Sequence, residues 1–337
     1  MNNDDHTLEK RYRQESDDWL QYLTDPECKR TAESWFRTDT VDFWRHHRMY
    51  TCINPLLEVY PDSDWLTVGD GRFGKDAHYI LEKGHNVVAS DISDTLLRIG
   101  VEKGYIHEFK VANAERLPFG SDSFEFVFCK ESFHHFPRPM LALYEMLRVA
   151  RRGVILIEPN EAPVLVESLS FIVKRLIKGV LLRYGLSSIL RTRDTSVIRS
   201  YSNAWEEVGN YVYSISEREI EKVAWGMRYP SCAFKGLNDY YEKGVEIEKA
   251  TEDSLLFQKV KERISHADRR VGLNCGAYHL LVAVIFKQPV DSHAIRVLQQ
   301  SGFVFSQLPK NPHVTHKDFQ QGHATKPLTR AADDCRS

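Results

Sequence analysis

The sequence lacks the features that would place the chain outside the cell or across a membrane. Its 337 residues include six cysteines, none of them in a C-x-x-C pair or at zinc-finger spacing from a histidine. We therefore expect free thiols in a reducing compartment and no metal site. No apolar run approaches about 18 uncharged residues, and the polar N-terminus has no apolar segment of the kind that signal peptides carry. These absences favour a cytoplasmic protein.

A large excess of charge of one sign is also absent, because the formal net charge is −2. A protein that binds nucleic acid with its whole surface would be strongly basic, so we expect no nucleic-acid partner. The local exception is a basic run from Lys174 to Arg199, in which Asp194 is the only acid. Two interpretations stay open for this run: a solvated helix face, or a surface for an anionic acceptor or for peripheral contact with a membrane.

Short apolar segments alternate with helix-like segments between residues 61 and 160. The apolar segments lie in "DWLTVGD", "HNVVASD", "FKVANAE", "SFEFVFCK" and "GVILIEP". Strands separated by helices of about ten to fifteen residues are typical of right-handed βαβ units, so the pattern predicts an α/β fold with a parallel sheet. "YPSCAF" is a candidate further strand, and "YHLLVAVIFK" is a strong one.

The remaining segments divide the chain around this alternating region. We predict an N-terminal helical layer over residues 1–60 and a core over residues 61–160. A helical insertion over residues 161–277 is long enough to cap an acceptor pocket. Residues 278–309 are predicted to complete the core with a strand and a helix, and the polar residues 310–337 to form a disordered tail.

The stretch "TVGDGRFGKDAHYI" places Gly69, Gly71 and Gly74 in G-x-G-x-x-G spacing between a predicted strand and a predicted helix. Such a turn brings backbone N–H groups close to an anionic ligand. Asp91 ends the next strand, twenty residues after Gly71, where a carboxylate accepts both hydroxyls of a ribose. The pair indicates an adenosine ligand but does not separate NAD from S-adenosylmethionine.

Residues 111–159 resemble the class I S-adenosylmethionine-dependent methyltransferases, particularly the group often called type 11. The motifs that carry the resemblance are "NAE", "LPF", "SFE", "HH", "LRV" and "GVILIE", in the order and spacing of that group. "TVGDGR", "CKE" and "HHFPRP" are also similar to methyltransferases found with bacterial surface-polysaccharide genes. The resemblance implies a Rossmann-like fold, with a mostly parallel seven-stranded sheet and helices on both faces, and S-adenosylmethionine as cofactor.

The resemblance also implies which residues bind this cofactor. Gly69, Asp70, Gly71 and Gly74 would surround its methionine end, and Lys130 would lie near the sulfonium or the methionine carboxylate. Asp91 would hold the ribose, and the residues at the adenine would be Ile92, Asn113, Ala114 and Glu115.

Two departures from the family pattern concern this cofactor site. Thr67 stands where the family has an acid, so we expect Asp70 to receive the methionine amino group instead. Asn113 replaces an aspartate, and its side-chain oxygen can still accept from the adenine amino group. The third glycine falls at Gly74, one residue later than usual.

Methylation of a hydroxyl requires a base that removes its proton. His134 and His135 follow the fourth strand, with Glu131 close by, and these three are the candidate catalytic residues. Both histidines can instead be wall residues among Phe133, Phe136 and Pro137. Glu158 and Asn160 are candidates for binding acceptor hydroxyls or for capping the next helix.

We therefore expect an S-adenosylmethionine-dependent methyltransferase that methylates a hydroxyl of a small molecule or a glycan. Two alternatives stay open from the residues. One is an NAD-dependent oxidoreductase that uses the G-x-G-x-x-G turn, and the other is a methyltransferase-like binding module without catalysis. The sequence makes no prediction of the oligomeric state.

Overall fold

The computed structural model describes residues 3–161 and 212–310. The basic run from Lys174 to Arg199, the first part of the predicted cap and the predicted tail from residue 311 lie outside the described residues. Within residues 3–161 and 212–310, no helix combines the length and the apolar character needed to cross a membrane.

Five α-helices precede the first strand in the described part of the chain. They are α1 (Asn3–Asp18), α2 (Gln21–Thr24), α3 (Pro26–Ser34), α4 (Val41–Tyr50) and α5 (Asn54–Val59). Thr40 begins α4, because its hydroxyl accepts the N–H of Phe43 at 3.1 Å. Met49 and Tyr50 at the end of α4 are buried against the sheet, so this helix belongs to one face of the core.

An eight-stranded sheet forms the centre of the molecule, in the order β3-β2-β1-β4-β5-β7-β6-β8. The strands are β1 (Asp64–Val68), β2 (Asn86–Asp91), β3 (Phe109–Val111), β4 (Phe124–Lys130), β5 (Ala150–Pro159), β6 (Ser231–Leu237), β7 (Leu280–Phe286) and β8 (Val304–Gln307). The first five run parallel, whereas β7 pairs antiparallel with both β5 and β6, and β8 pairs antiparallel with β6. The predicted Rossmann-like, mostly parallel fold is confirmed, with a short edge strand, β8, beyond the seven expected.

The remaining helices pack on both faces of the sheet, except for Leu255–Gly272, which packs on Val41 of α4. They are α6 (Lys75–Glu82), α7 (Thr95–Glu102), α8 (Pro139–Val149), α9 (Glu217–Gly226), α10 (Leu255–Gly272) and α11 (Ser292–Gln300). Strand β6 lies inside the range predicted as a helical cap. Its residues Cys232, Ala233 and Phe234 are buried in the sheet, so the chain returns to the core well before residue 278.

Alternate residues of the central strands supply the two halves of the core. On β4, Phe126 and Phe128 pack with Trp65 and the helices α4 and α5 on one face. Val127 and Cys129 pack with α8 on the other face. Because side chains alternate across a strand, one short apolar sequence fills both layers.

The strand order reverses direction between β1 and β4, which are neighbours in the sheet. In open α/β sheets, ligands bind outside the carboxyl ends of the strands at such a reversal. The loops after β1, β2, β3 and β4 meet at this point, so the fold places the glycine turn, Asp91, Asn113 and the two histidines in one neighbourhood.

Candidate active site

A cavity of about 240 Å³ opens at the carboxyl ends of the strands. The predicted site residues on its wall are Gly69, Asp91, Ile92, Asn113, Ala114, Glu115 and His135. The other predicted site residues do not line the cavity: Asp70, Gly71, Gly74, Lys130, Glu131 and His134. The tertiary structure therefore brings the predicted adenosine residues together on one wall.

Gly69 contributes bare backbone to the wall of the cavity. Its φ is +75°, a conformation that L side chains rarely adopt. A Cβ atom at this position would lie 2.4 Å from Cβ of Ser132. Ser132 also donates its hydroxyl to the Gly69 carbonyl at 2.7 Å, which ties the loop after β4 to the glycine turn. The turn is therefore held open for a ligand that approaches the main chain.

Asp70 points away from the cavity and caps helix α6. Its carboxylate accepts the N–H groups of Asp76 and Ala77 at 3.0 and 2.8 Å, and the hydroxyl of Thr67 at 2.8 Å. Burial, together with the neighbouring Asp76 carboxylate, raises the pKa of Asp70 well above its usual range. Thr67, which stands where the family has an acid, thus donates to the carboxylate that caps α6. That Asp70 receives a methionine amino group stays a prediction.

Asp91 ends β2 and presents a buried carboxylate to the cavity. One of its oxygens accepts the N–H of Ser93 at 2.9 Å. Burial raises the pKa of this carboxyl to about 7. A desolvated carboxylate gains most from new hydrogen-bond donors, and a pair of ribose hydroxyls supplies two of them.

Glu115 connects three parts of the chain at the adenine side of the cavity. Its Oε1 accepts the backbone N–H of Arg138 at 2.9 Å, and its Oε2 accepts from the Arg138 side chain at 2.5 Å. The hydroxyl of Tyr12 donates to the same Oε2 at 2.8 Å. Asn113 turns its side-chain oxygen to the N–H of Glu115 at 2.8 Å, so the loop is braced internally. The sequence carries no short-range signal for Tyr12 or Arg138 at this site.

A buried charged cluster lies beside the end of β4. The Nζ atom of Lys130 lies 3.2 Å from Nδ1 of His46 and 3.5 Å from Oδ1 of Asp76. Glu131 places Oε2 at 3.4 Å from the same His46 nitrogen, and Asp42 lies 3.3 Å from Nε2 of that ring. His46 and Asp42 are a further pair that sequence reasoning missed. Their i,i+4 spacing on α4 is the only local signal, and it is common on helices.

The charges in this cluster stabilise one another. Burial opposes the charged form of Lys130, but the carboxylates of Asp76 and Glu131 outweigh it and raise the pKa of the amine. Burial would likewise raise the pKa of Glu131, yet His46 and Lys130 bring it down to about 2. Burial and the Lys130 cation lower the pKa of His46. Glu131 is therefore an ionised carboxylate at neutral pH, which makes it a weak proton acceptor.

His134 is held by a carboxylate from the neighbouring strand. Its Nδ1 lies 2.7 Å from Oε2 of Glu158, a side chain at the end of β5 with no exposed surface. The other oxygen of Glu158 accepts the N–H groups of Ser132 and Phe133 at 3.0 and 2.9 Å. Because the carboxylate accepts, it holds the proton on Nδ1 and leaves Nε2 as the basic nitrogen.

The acceptor contact and the cap of the next helix proposed for Glu158 from the sequence stay predictions. Glu158 orders the loop that follows β4 and orients His134. The ring of His135 lies 4.0 Å from that of His134, centroid to centroid, and lines the cavity. The two histidines thus face different surroundings: one is bound to a buried carboxylate, and the other contacts the cavity.

Residues 66–157 match a family model described as Methyltransferase domain. The match begins in β1 and ends in β5, so it contains the glycine turn, Asp91, the loop after β3 and both histidines. This part of the chain is a class I S-adenosylmethionine-dependent methyltransferase domain. The match also decides between the two cofactors that the glycine turn left open. No curated protein matches the chain in sequence.

Several solved structures share the arrangement at low sequence identity. A methyltransferase from Bacillus halodurans is 17% identical, with 70% of this chain and 96% of that chain covered and a TM-score of 0.38. A methyltransferase from Methanosarcina mazei is 17% identical over 70% and 98%, with a TM-score of 0.40. The magnesium protoporphyrin IX methyltransferase of Synechocystis, solved with S-adenosylhomocysteine, is 13% identical over 72% and 84%, with a TM-score of 0.39.

The described residues fit the cofactor of the methyltransferase domain. Gly69 leaves the turn without a side chain where the ligand approaches, and a Cβ atom there would collide with Ser132. Asp91 offers a buried carboxylate on the cavity wall to the ribose hydroxyls. Ile92 and Ala114 give the adenine an apolar neighbourhood on the same wall. When bound, S-adenosylmethionine supplies an electrophilic methyl group, and the residues on the cavity wall would hold it in position.

Proposed function

We propose that the methyltransferase transfers its methyl group to a hydroxyl of a small molecule or a glycan. The observation that carries this proposal is the contact of 2.7 Å between His134 Nδ1 and the buried carboxylate of Glu158. A histidine held in this way has a basic Nε2. A hydroxyl acceptor needs such a base, because it must lose its proton as it attacks.

The reaction balances with this one base. The acceptor oxygen forms a bond to the methyl carbon while the bond from that carbon to sulfur breaks, and S-adenosylhomocysteine leaves. The hydroxyl proton passes to Nε2 of His134, and Glu158 stabilises the imidazolium that results. Alignment of the two reactants supplies a large part of the rate enhancement, and a positioned base contributes roughly 10² to 10⁴-fold.

His135 has a different role in this proposal. It lines the cofactor cavity beside Phe136 and Pro137. Its ring supports that of His134 at a centroid distance of 4.0 Å. We therefore assign it to the wall between cofactor and acceptor, and we assign the proton transfer to His134. Glu131 serves to offset the charge of Lys130 rather than to accept the proton, because its pKa is about 2.

A sugar acceptor is supported by an exposed aromatic ring near this site. The ring of Tyr241 is 57% exposed, and the guanidinium carbon of Arg45 lies 5.4 Å from its centre. Arg45 also pairs with Asp42 of the charged cluster beside the end of β4. An amphipathic ring beside buried charges suits a polar ring such as a sugar. The predicted anionic acceptor or membrane contact of the basic run stays a prediction.

Mass spectrometry after incubation with isotopically labelled S-adenosylmethionine tests the proposal. Glycan and metabolite pools are offered as acceptors, and the labelled product is located by fragmentation. We expect a label on oxygen, a loss of at least 10²-fold in turnover for His134→Ala, and a smaller loss for His135→Ala. S-adenosylhomocysteine should bind His134→Ala as it binds the wild type, because His134 does not line the cavity. Label on nitrogen or carbon, or unchanged turnover in His134→Ala, would contradict the proposal.

A further inference from the structure

One wall of the cofactor cavity comes from outside the methyltransferase domain. The family match begins at residue 66, whereas helices α1 and α2 and the turn between them contribute cavity residues far upstream. These residues are Tyr12, Glu15, Asp18, Trp19, Gln21 and Tyr22. We call residues 12–22 the N-terminal strap. It crosses the cavity on the side of the adenine and the glycine turn.

The strap is fastened to the domain at Tyr12. The Tyr12 hydroxyl donates to Oε2 of Glu115 at 2.8 Å, and Arg138 donates to the same hydroxyl at 3.1 Å. Burial and the Glu115 carboxylate raise the pKa of Tyr12, so the phenol keeps its proton at neutral pH. Hydrogen bonds to charged groups are worth more than neutral ones. This latch therefore holds the strap closed over the cavity.

Trp19 lies directly against the glycine turn. A Cβ atom at Gly71 would lie 2.3 Å from Cζ2 of Trp19, so the indole contacts the bare main chain. The ring packs on Tyr22 and Trp35, with centroid distances of 5.5 and 6.4 Å. The cavity beneath has a volume of about 240 Å³, which is less than the roughly 300–1,000 Å³ of ligand clefts. The indole occupies the end of the cavity at the turn where the methionine part of the cofactor is expected.

Helix α1 buries little apolar surface over residues 8–18. None of residues 8–18 is fully buried, and the helix sequence is mostly polar. Segments that bury few apolar side chains open at a small cost in free energy. The strap therefore combines a small cavity, an indole on the ligand's path and a polar latch at Tyr12 on a helix without a fully buried residue between positions 8 and 18.

We propose that the N-terminal strap is a part of the cofactor site that opens to admit S-adenosylmethionine and closes over its adenosine. Opening breaks the contact between Tyr12 and Glu115 and lifts Trp19 from Gly71. Closure places the aromatic rings of Trp19 and Tyr22 against the bound ligand. The strap thus governs how fast the cofactor enters and leaves, whatever acceptor the enzyme methylates.

Stopped-flow binding of S-adenosylhomocysteine to the full chain tests the proposal. In Tyr12→Phe, the latch is lost while the ring remains, and we expect the association and dissociation rate constants both to rise about tenfold. Trp19→Ala uncovers the turn and should raise both rate constants as well. Tyr144→Phe is the matched control, because Tyr144 is 43% exposed on α8 and does not line the cavity.

Hydrogen exchange gives a second measurement on the same proteins. Amides of residues 8–22 should exchange faster in Tyr12→Phe than in the wild type, and S-adenosylhomocysteine should slow them in the wild type. Rate constants of Tyr12→Phe that match those of Tyr144→Phe would overturn the proposal. A rise in dissociation alone would overturn it too, because Tyr12 would then only contact the ligand. Neither measurement needs an acceptor, so each is independent of hydroxyl methylation.

Discussion

Replacing Glu158 by glutamine separates the two tasks of this buried side chain. One oxygen of Glu158 accepts the N–H groups of Ser132 and Phe133, and the other faces Nδ1 of His134 at 2.7 Å. The single oxygen of a glutamine can keep the two backbone hydrogen bonds. Its amide NH₂ group then faces His134, and Nδ1 must become the acceptor. The proton moves to Nε2, and the ring loses its basic nitrogen.

The expected size of the effect follows from these contacts. Loss of a general base costs roughly 10² to 10⁴-fold in kcat, or about 3 to 5 kcal/mol in the activation free energy. The free energy of unfolding should fall by about 1 to 2 kcal/mol, because a charge-assisted hydrogen bond becomes a neutral one. Cofactor affinity should not change, since Glu158 does not line the cavity.

Steady-state kinetics with a saturating acceptor measure kcat, urea denaturation measures the free energy of unfolding, and calorimetric titration of S-adenosylhomocysteine measures cofactor affinity. Glu145→Gln is the matched control. Glu145 also accepts a backbone N–H, from Leu117 at 2.9 Å, and pairs with Arg148, but it lies away from the cavity. It should keep its turnover. A kcat for Glu158→Gln within about threefold of the control would refute the assignment of His134 as an oriented base.

Two further predictions concern the glycine turn and Asp91. Gly74→Ala should lower the free energy of unfolding by about 2 to 5 kcal/mol, since Gly74 has a φ of +74° and a Cβ atom would lie 2.6 Å from Ile106. Gly84→Ala is the control, because Gly84 also has a positive φ but a Cβ atom there would have no neighbour within 4 Å. Urea denaturation should show a loss of about 1 to 2 kcal/mol in its free energy of unfolding. Equal losses in the two variants would contradict a steric clash with Ile106. The pKa of Asp91 is about 7, and ribose hydroxyls favour its ionised form. As the pH rises to 7, affinity for S-adenosylhomocysteine should therefore increase by up to about tenfold per pH unit. Titrations of Asp91→Asn should show no such slope, and a slope that persists would mean that another group titrates.

The strand assignments follow from local pattern. The central segments of residues 61–160 and "YHLLVAVIFK" became strands because their apolar side chains are buried on both faces of the sheet, whereas β3 lies exposed at one edge. Strand β6 was harder to place, because it follows a long insertion and pairs antiparallel with β7, a partner more than forty residues later. The seven residues of β6 carry no signal for the strands with which it pairs.

The residues on the cavity wall can also be predicted from the sequence, but the directions of their side chains cannot. Gly69, Asp91, Ile92 and Asn113 come from loops at consecutive strand ends, so the fold brings them together whatever their side chains do. Asp70 belongs to the same turn, yet its carboxylate turns to the N-terminus of α6 because the N–H groups of Asp76 and Ala77 need an acceptor. Spacing along the chain cannot distinguish these two directions.

The sequence by itself determined the class of fold, the cofactor and the set of loops that bind it, because these depend on strand order and on short motifs. The tertiary structure decided which residues that are distant in the sequence contact one another. Only folding brings Glu158 to His134 across two strands, Tyr12 to Glu115 across about a hundred residues, and Trp19 onto Gly71. Such contacts depend on which surfaces pack together, and no local pattern along the chain encodes that choice.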